Sequence, residues 1–72
     1  MKVGILGCGH VSDQYFEGIS RSELLEIVWC ADIDLARAEA KAAEHGVPRS
    51  GTPDQLLGDG EVELVVNLTP PL

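Results

Sequence analysis

A chain of 72 residues has room for one small core and buries only ~60% of the surface its unfolded form exposes. Twelve acidic against five basic residues give a net charge of −7, and no basic cluster is present, which argues against nucleic acid and anionic membrane as partners. The two cysteines, Cys8 and Cys30, lack zinc-ligand spacing and argue against a disulfide scaffold. Reduced thiols in an intracellular, cytoplasmic protein are the expectation, although a Cys8–Cys30 bridge would join the ends of two predicted strands. The N-terminal apolar stretch is too short for a signal peptide, and no run approaches the ~20 apolar residues of a membrane span.

Lys2 to Leu6 (KVGIL) is a short apolar run closed by Gly7-Cys8-Gly9, the pattern of a buried parallel strand. From His10 to Ser22 the period changes. Val11, Tyr15 and Ile19 share one helical face with Phe16 beside them, and Gly18 weakens that helix by up to ~1 kcal/mol relative to alanine. Glu26 to Ala31 (EIVWCA) reads as a second buried strand.

Asp34 is placed to cap a helix from Leu35 to His45, which Gly46 and Pro48 stop. The apolar face of that helix is mostly alanine, which permits close approach to a sheet. Val47 to Ser50 forms a brief third strand. Thr52-Pro53-Asp54-Gln55 has the form of a capping box with proline at the first helical position. The short helix it opens runs through Leu56 and Leu57 to Gly58-Asp59-Gly60. Val62 to Leu68 (VELVVNL) is the last strand, ended by Thr69-Pro70-Pro71. The order β-α-β-α-(β)-α-β implies an α/β, Rossmann-type parallel sheet with helical crossovers, the N-terminal half of a doubly wound fold.

Gly7-Cys8-Gly9-His10-Val11-Ser12 has the form G-x-G-x-x-S between a strand and a helix. In that context each position has a task. Gly7 permits the tight turn. Gly9 lets a pyrophosphate approach the backbone, and the N–H groups around His10 and Val11 meet its charge. Ser12 stands where glycine or alanine usually allows close helix–strand packing, a departure that weighs slightly against a tightly packed turn. The plainer reading is a sharp strand-to-helix connection without a ligand. His10 reads as a bystander near the phosphates and Cys8 as structural.

Asp32 follows Gly9 at close to the ~20-residue spacing of the acid that hydrogen-bonds a ribose diol. A carboxylate there repels a 2′-phosphate, so NAD is favoured over NADP. Arg37, several residues into the helix, could in principle reach over. The plainer reading makes Asp32 a second helix cap beside Asp34. S-adenosylmethionine-dependent methyltransferases share the pairing of glycine turn and strand-end acid, and a non-enzymatic nucleotide-sensing or docking module is a further alternative.

The runs VGILGCGHVSDQY, WCADIDLARAEAKAAEHGVPR and TPDQLLGDGEVELVVNLTPP together resemble the Gfo/Idh/MocA family of glucose–fructose oxidoreductase and inositol dehydrogenase relatives. The resemblance covers essentially the whole chain. Its most specific part is VELVVNL followed by TPP, an ending not characteristic of methyltransferases.

What the resemblance implies is a two-domain NAD(P)-dependent oxidoreductase acting by hydride transfer on a sugar or cyclitol hydroxyl, or on the corresponding carbonyl. By position, Gly7, Gly9, His10 and Val11 would line the pyrophosphate. Asp32 and Ile33 would meet the adenosine ribose, and Leu68, Thr69 and Pro70 would lie toward the nicotinamide, with Asn67 a weaker candidate. The family's histidine after T-P-P, its E-K-P motif with the catalytic lysine, and its substrate domain all fall beyond Leu72. Neither Lys2 nor Lys41 matches that lysine. The expectation is therefore a partial dinucleotide-binding domain over residues 1–72, inactive alone. Its substrate would be held by the missing domain, and a homo-oligomeric parent is left open.

Overall fold

The computed structural model describes residues 1–9 and 11–69. Along the chain lie β1 (Lys2–Leu6), α1 (Ser12–Ser20), β2 (Glu26–Ala31), α2 (Leu35–His45), β3 (Arg49–Gly51), α3 (Pro53–Leu57) and β4 (Leu64–Asn67). The strands form one parallel sheet in the order β3-β2-β1-β4. The chain steps outward from β1 to β3 and then returns to the far side of β1. That reversal is the topological switch of an open α/β sheet, and it falls between β1 and β4.

β1 is buried on both faces. Val3 and Ile5 join Phe16, Cys30, Ala38, Ala42 and Val47 in the core beneath α1 and α2. Gly4 points the other way, because strand side chains alternate, and there Leu56 of α3 lies so close that a Cβ on Gly4 would overlap its side chain. Helices thus cover both faces. Ala38 and Ala42 present small side chains to the sheet, as the alanine-rich sequence anticipates.

The expected caps are present. Asp34 accepts from Arg37 N–H, and Gly46 closes α2 in the left-handed region at φ +67°. Thr52 and Gln55 form the reciprocal capping box of α3, with Pro53 in its first turn.

Three boundaries differ from expectation. The α1 helix runs from Ser12 to Ser20 inside the expected His10–Ser22; Val11 already has helical dihedrals as its N-cap, and His10 lies outside the described residues. β3 is displaced toward Gly51, because Val47 turns into the core and its N–H bonds back to Ala42 O. β4 starts later than Val62, whose N–H is spent on Asp59 O within the preceding turn.

The second strand also carries a feature that alternation did not announce. Its register against β1 slips between the pairs Val3–Ile27 and Gly4–Trp29, so Val28 is an extra, bulged residue. The bulge lets Ile27 and Cys30, three residues apart, both face α1 and α2, while Trp29 faces the α3 side beside Gly51.

Two polar clamps tie the layers together. Asp13 of α1 pairs with Lys41 of α2 at 2.6 Å and with His45 Nε2 at 3.0 Å, and the His45 ring stacks on Phe16 with centroids 4.4 Å apart. On the other side, Asp59 accepts from Trp29 Nε1 at 2.7 Å and from Arg49 Nη1 at 2.5 Å. That clamp holds the loop between α3 and β4 against β2 and β3. Among the described residues no helix is long and apolar enough to cross a membrane.

Gly4→Ala is expected to destabilise the chain by about 1–3 kcal/mol through overpacking against Leu56, read as a lower midpoint in urea unfolding. Asp59 is held below the usual carboxylate range, first by the Trp29 N–H, then by the Glu61 backbone and Arg49. A carboxyl whose folded-state value is depressed lends stability above its unfolded value of about 3.9 and loses it as pH falls through the lower folded value. Asp59→Asn should therefore flatten the acid limb of a stability–pH curve, measured by urea unfolding across the acid range.

Candidate dinucleotide site

The glycine turn begins where β1 ends. Gly7 has φ +101°, a conformation that side-chain-bearing residues rarely adopt. A Cβ there would also come within 3.1 Å of the main chain of Leu68 and Thr69. The turn is therefore pressed against the end of β4, at the switch point between β1 and β4. Leu68 N–H continues the pairing by donating to Leu6 O at 2.7 Å.

Three contacts fix the turn. Gly7 N–H donates to Ala31 O at 2.8 Å. Cys8 N–H donates to Asp32 Oδ2, also at 2.8 Å. Ser12 returns from the first turn of α1 to Gly9 O, through its N–H at 3.0 Å and its hydroxyl at 2.6 Å. Ser12 is 1% exposed, so the hydroxyl is packed into the turn and satisfied there. The third position of the motif is tight despite not being glycine. A Cβ on Gly9, by contrast, would meet nothing within 4 Å among the described residues, so the backbone there is open on one side. Among the described residues no side chain caps the start of α1, where Val11 is exposed. Open backbone at an uncapped helix start is the arrangement that accepts an anionic phosphate group.

Asp32 stands at the end of β2, only 7% exposed. Its Oδ1 accepts from Asp34 N–H at 2.8 Å while Oδ2 holds the turn. The helix cap is Asp34, so the reading of Asp32 as a second cap does not hold. Ile33 is 92% exposed beside it. Asn67 Oδ1 accepts from both the N–H and the hydroxyl of Thr69, which closes β4.

Gly7, Asp32, Leu68 and Thr69 thus converge at the carboxyl ends of β1, β2 and β4, with Gly9, Val11 and Ile33 on the open side. His10 and Pro70 lie outside the described residues. Sequence reasoning passed over Ser12 as a turn anchor, though a serine three residues after a turn carbonyl is a recognised bonding pattern.

The thiols are free and buried. Cys8 donates to Ala31 O and Cys30 to Ala38 O. The neighbouring Cys8 thiol and burial push the Cys30 thiol far above its ordinary value, which suits a packing role. The cluster of Asp13, Glu44 and His45 could suggest a metal site, but the Lys41 ammonium already sits on both carboxylates. A cleft of about 240 Å³ is lined by Phe16, Leu25, Ile27 and His45 among others. Leu25 and Ile27 flank the start of β2, so this cleft lies at the opposite end of the strands from the turn.

A strand–glycine turn–helix with a strand-end acid, at the switch point of a parallel 3-2-1-4 sheet, defines a Rossmann-type nucleotide-binding unit. Over residues 1–71 the chain matches the Gfo/Idh/MocA family, described as an oxidoreductase family with an NAD-binding Rossmann fold, and it belongs to that family.

An uncharacterized oxidoreductase of Rhizobium meliloti is 36% identical over 67 residues, which span 90% of this chain and 20% of that protein. Among solved structures, a Sinorhizobium meliloti 1021 protein provisionally described as a myo-inositol dehydrogenase superposes with a TM-score of 0.87 at 28% identity, over 97% of this chain and 21% of its own. GenD2 from gentamicin A biosynthesis, solved in complex with NAD, gives 0.85 at 26% identity over 97% of this chain and 20% of its own. The chain therefore spans about a fifth of the length of these relatives. Membership sets aside the methyltransferase alternative.

The two glycines of the turn should separate on substitution. Gly7→Ala combines a strained φ with a close approach to β4 and is expected to cost about 1–3 kcal/mol. Gly9→Ala points into open space and should change unfolding free energy by less than about 0.5 kcal/mol. Parallel thermal and urea unfolding of the two variants checks the contrast.

Proposed function

We propose that this chain is the adenosine-side part of the NAD site of an oxidoreductase whose parent protein moves a hydride between nicotinamide and a sugar or cyclitol carbon. The observation that carries the reading is the open backbone at Gly9, set in a turn anchored by Asp32 at the β1/β4 switch point. Gly7, Gly9, His10 and Val11 would border the pyrophosphate. Asp32 and Ile33 would face the adenosine ribose, and Leu68, Thr69 and Pro70 would border the path toward the nicotinamide.

The Asp32 carboxylate favours NAD, because a 2′-phosphate beside it meets like charge. Bound NAD supplies the hydride acceptor. The residues of this chain bind and orient its adenosine half. The groups that move the proton and hold the substrate belong to the rest of the parent, so residues 1–72 alone would bind cofactor weakly and turn nothing over. Its partners are accordingly the cofactor and, through the parent, a small-molecule substrate.

NADH titration of Trp29 fluorescence tests the reading. The Cα envelope measures 30 × 26 × 24 Å, so bound NADH lies within energy-transfer range of Trp29 wherever it sits. Saturable quenching with sensitised NADH emission is expected. Its absence at millimolar NADH, with a folded circular dichroism spectrum, overturns the claim.

A further inference from the structure

The Asp32 carboxylate is doubly committed before any ligand arrives. Oδ2 accepts the Cys8 N–H and Oδ1 the Asp34 N–H, both at 2.8 Å, and the side chain belongs to a residue that is 7% exposed. The first bond crosses from the end of β2 to the middle of the glycine turn. Cys8 itself is 1% exposed, so its N–H has little access to water as a substitute acceptor. A buried donor that loses its acceptor is costly enough to move the loop that carries it.

We propose that Asp32 is a positioning residue of the phosphate-binding turn, and that it governs affinity for the pyrophosphate end of the cofactor as well as for the ribose. This rests on the dinucleotide reading above. An acid that only meets the ribose would, when neutralised, surrender NADH and gain NADPH. An acid that also holds the turn loses both cofactors together. Asparagine in its place can accept from only one of the two facing N–H groups and turns its own amide hydrogens toward the other. Serine is too short to bridge Cys8 and Asp34.

The test compares Asp32→Asn and Asp32→Ser with the unsubstituted chain. NADH and NADPH titrations are made well below each variant's unfolding temperature and corrected for the folded fraction. A weakening of both cofactors by about tenfold or more is expected, the scale of one hydrogen bond to a charged group, together with a displaced Cys8 amide resonance. NADH affinity falling while NADPH affinity holds or rises overturns the proposal, as does an unmoved Cys8 amide.

Should either variant fail to fold, the unsubstituted chain decides. A through-hydrogen-bond scalar coupling between Cys8 ¹⁵N and the Asp32 carboxyl carbon supports the proposal, and its absence overturns it. If the unsubstituted chain binds neither cofactor, the dinucleotide reading fails, while the coupling and the Cys8 amide still report on the turn.

Discussion

The sheet is centred on β1, a five-residue strand paired on either side by β2 and β4, whose two faces make opposite demands. One face supplies Val3 and Ile5 to the core under α1 and α2. The other supplies Gly4, where the absence of a side chain lets Leu56 rest on the strand itself. A parallel strand covered on both sides must be apolar throughout, and one side must also be thin. With so little chain available, this asymmetry lets two layers of helix share a single central strand.

The glycine turn begins where β1 ends. Its anchors come from β2, through Ala31 O and Asp32, and from α1, through Ser12. β4 lies against it at Gly7. Because these contacts lie within the chain, Gly7, Cys8 and Gly9 are held without help from a ligand. A preformed site spares the ordering cost that a floppy loop would pay on binding. The ion-pair clamp between α1 and α2 and the Trp29–Asp59–Arg49 clamp contribute from a distance. They steady the helix that starts at the turn and the loop that leads into β4.

Much of this was legible in the residues. Glycine and proline marked the element ends, and Asp34, Thr52 and Gln55 are local signals that the structure honours locally. The order of elements followed from them, as did the neighbourhood of the turn and the strand-end acid. What escaped depends on contacts between distant residues. The bulge at Val28 left no trace in EIVWCA, since a strand apolar on both faces does not specify its register by alternation. The partners of Asp59 lie far back in the chain, on β2 and β3. The bond from Asp32 to Cys8 was invisible for a different reason: its donor is a main-chain N–H, which every residue except proline carries.

That last point says what kind of information the turn holds. At Gly7 the structure asks for a missing Cβ, at Gly9 it leaves the backbone open on one side, and at Cys8 the turn asks only that the ring of a proline be absent. The thiol of Cys8 serves the core and not the turn. Recognition at this end of the sheet is thus written largely in omissions. Side chains that anchor neither the turn nor the core can change without touching this geometry, whereas Asp32 and Ser12, which bond to the turn directly, cannot.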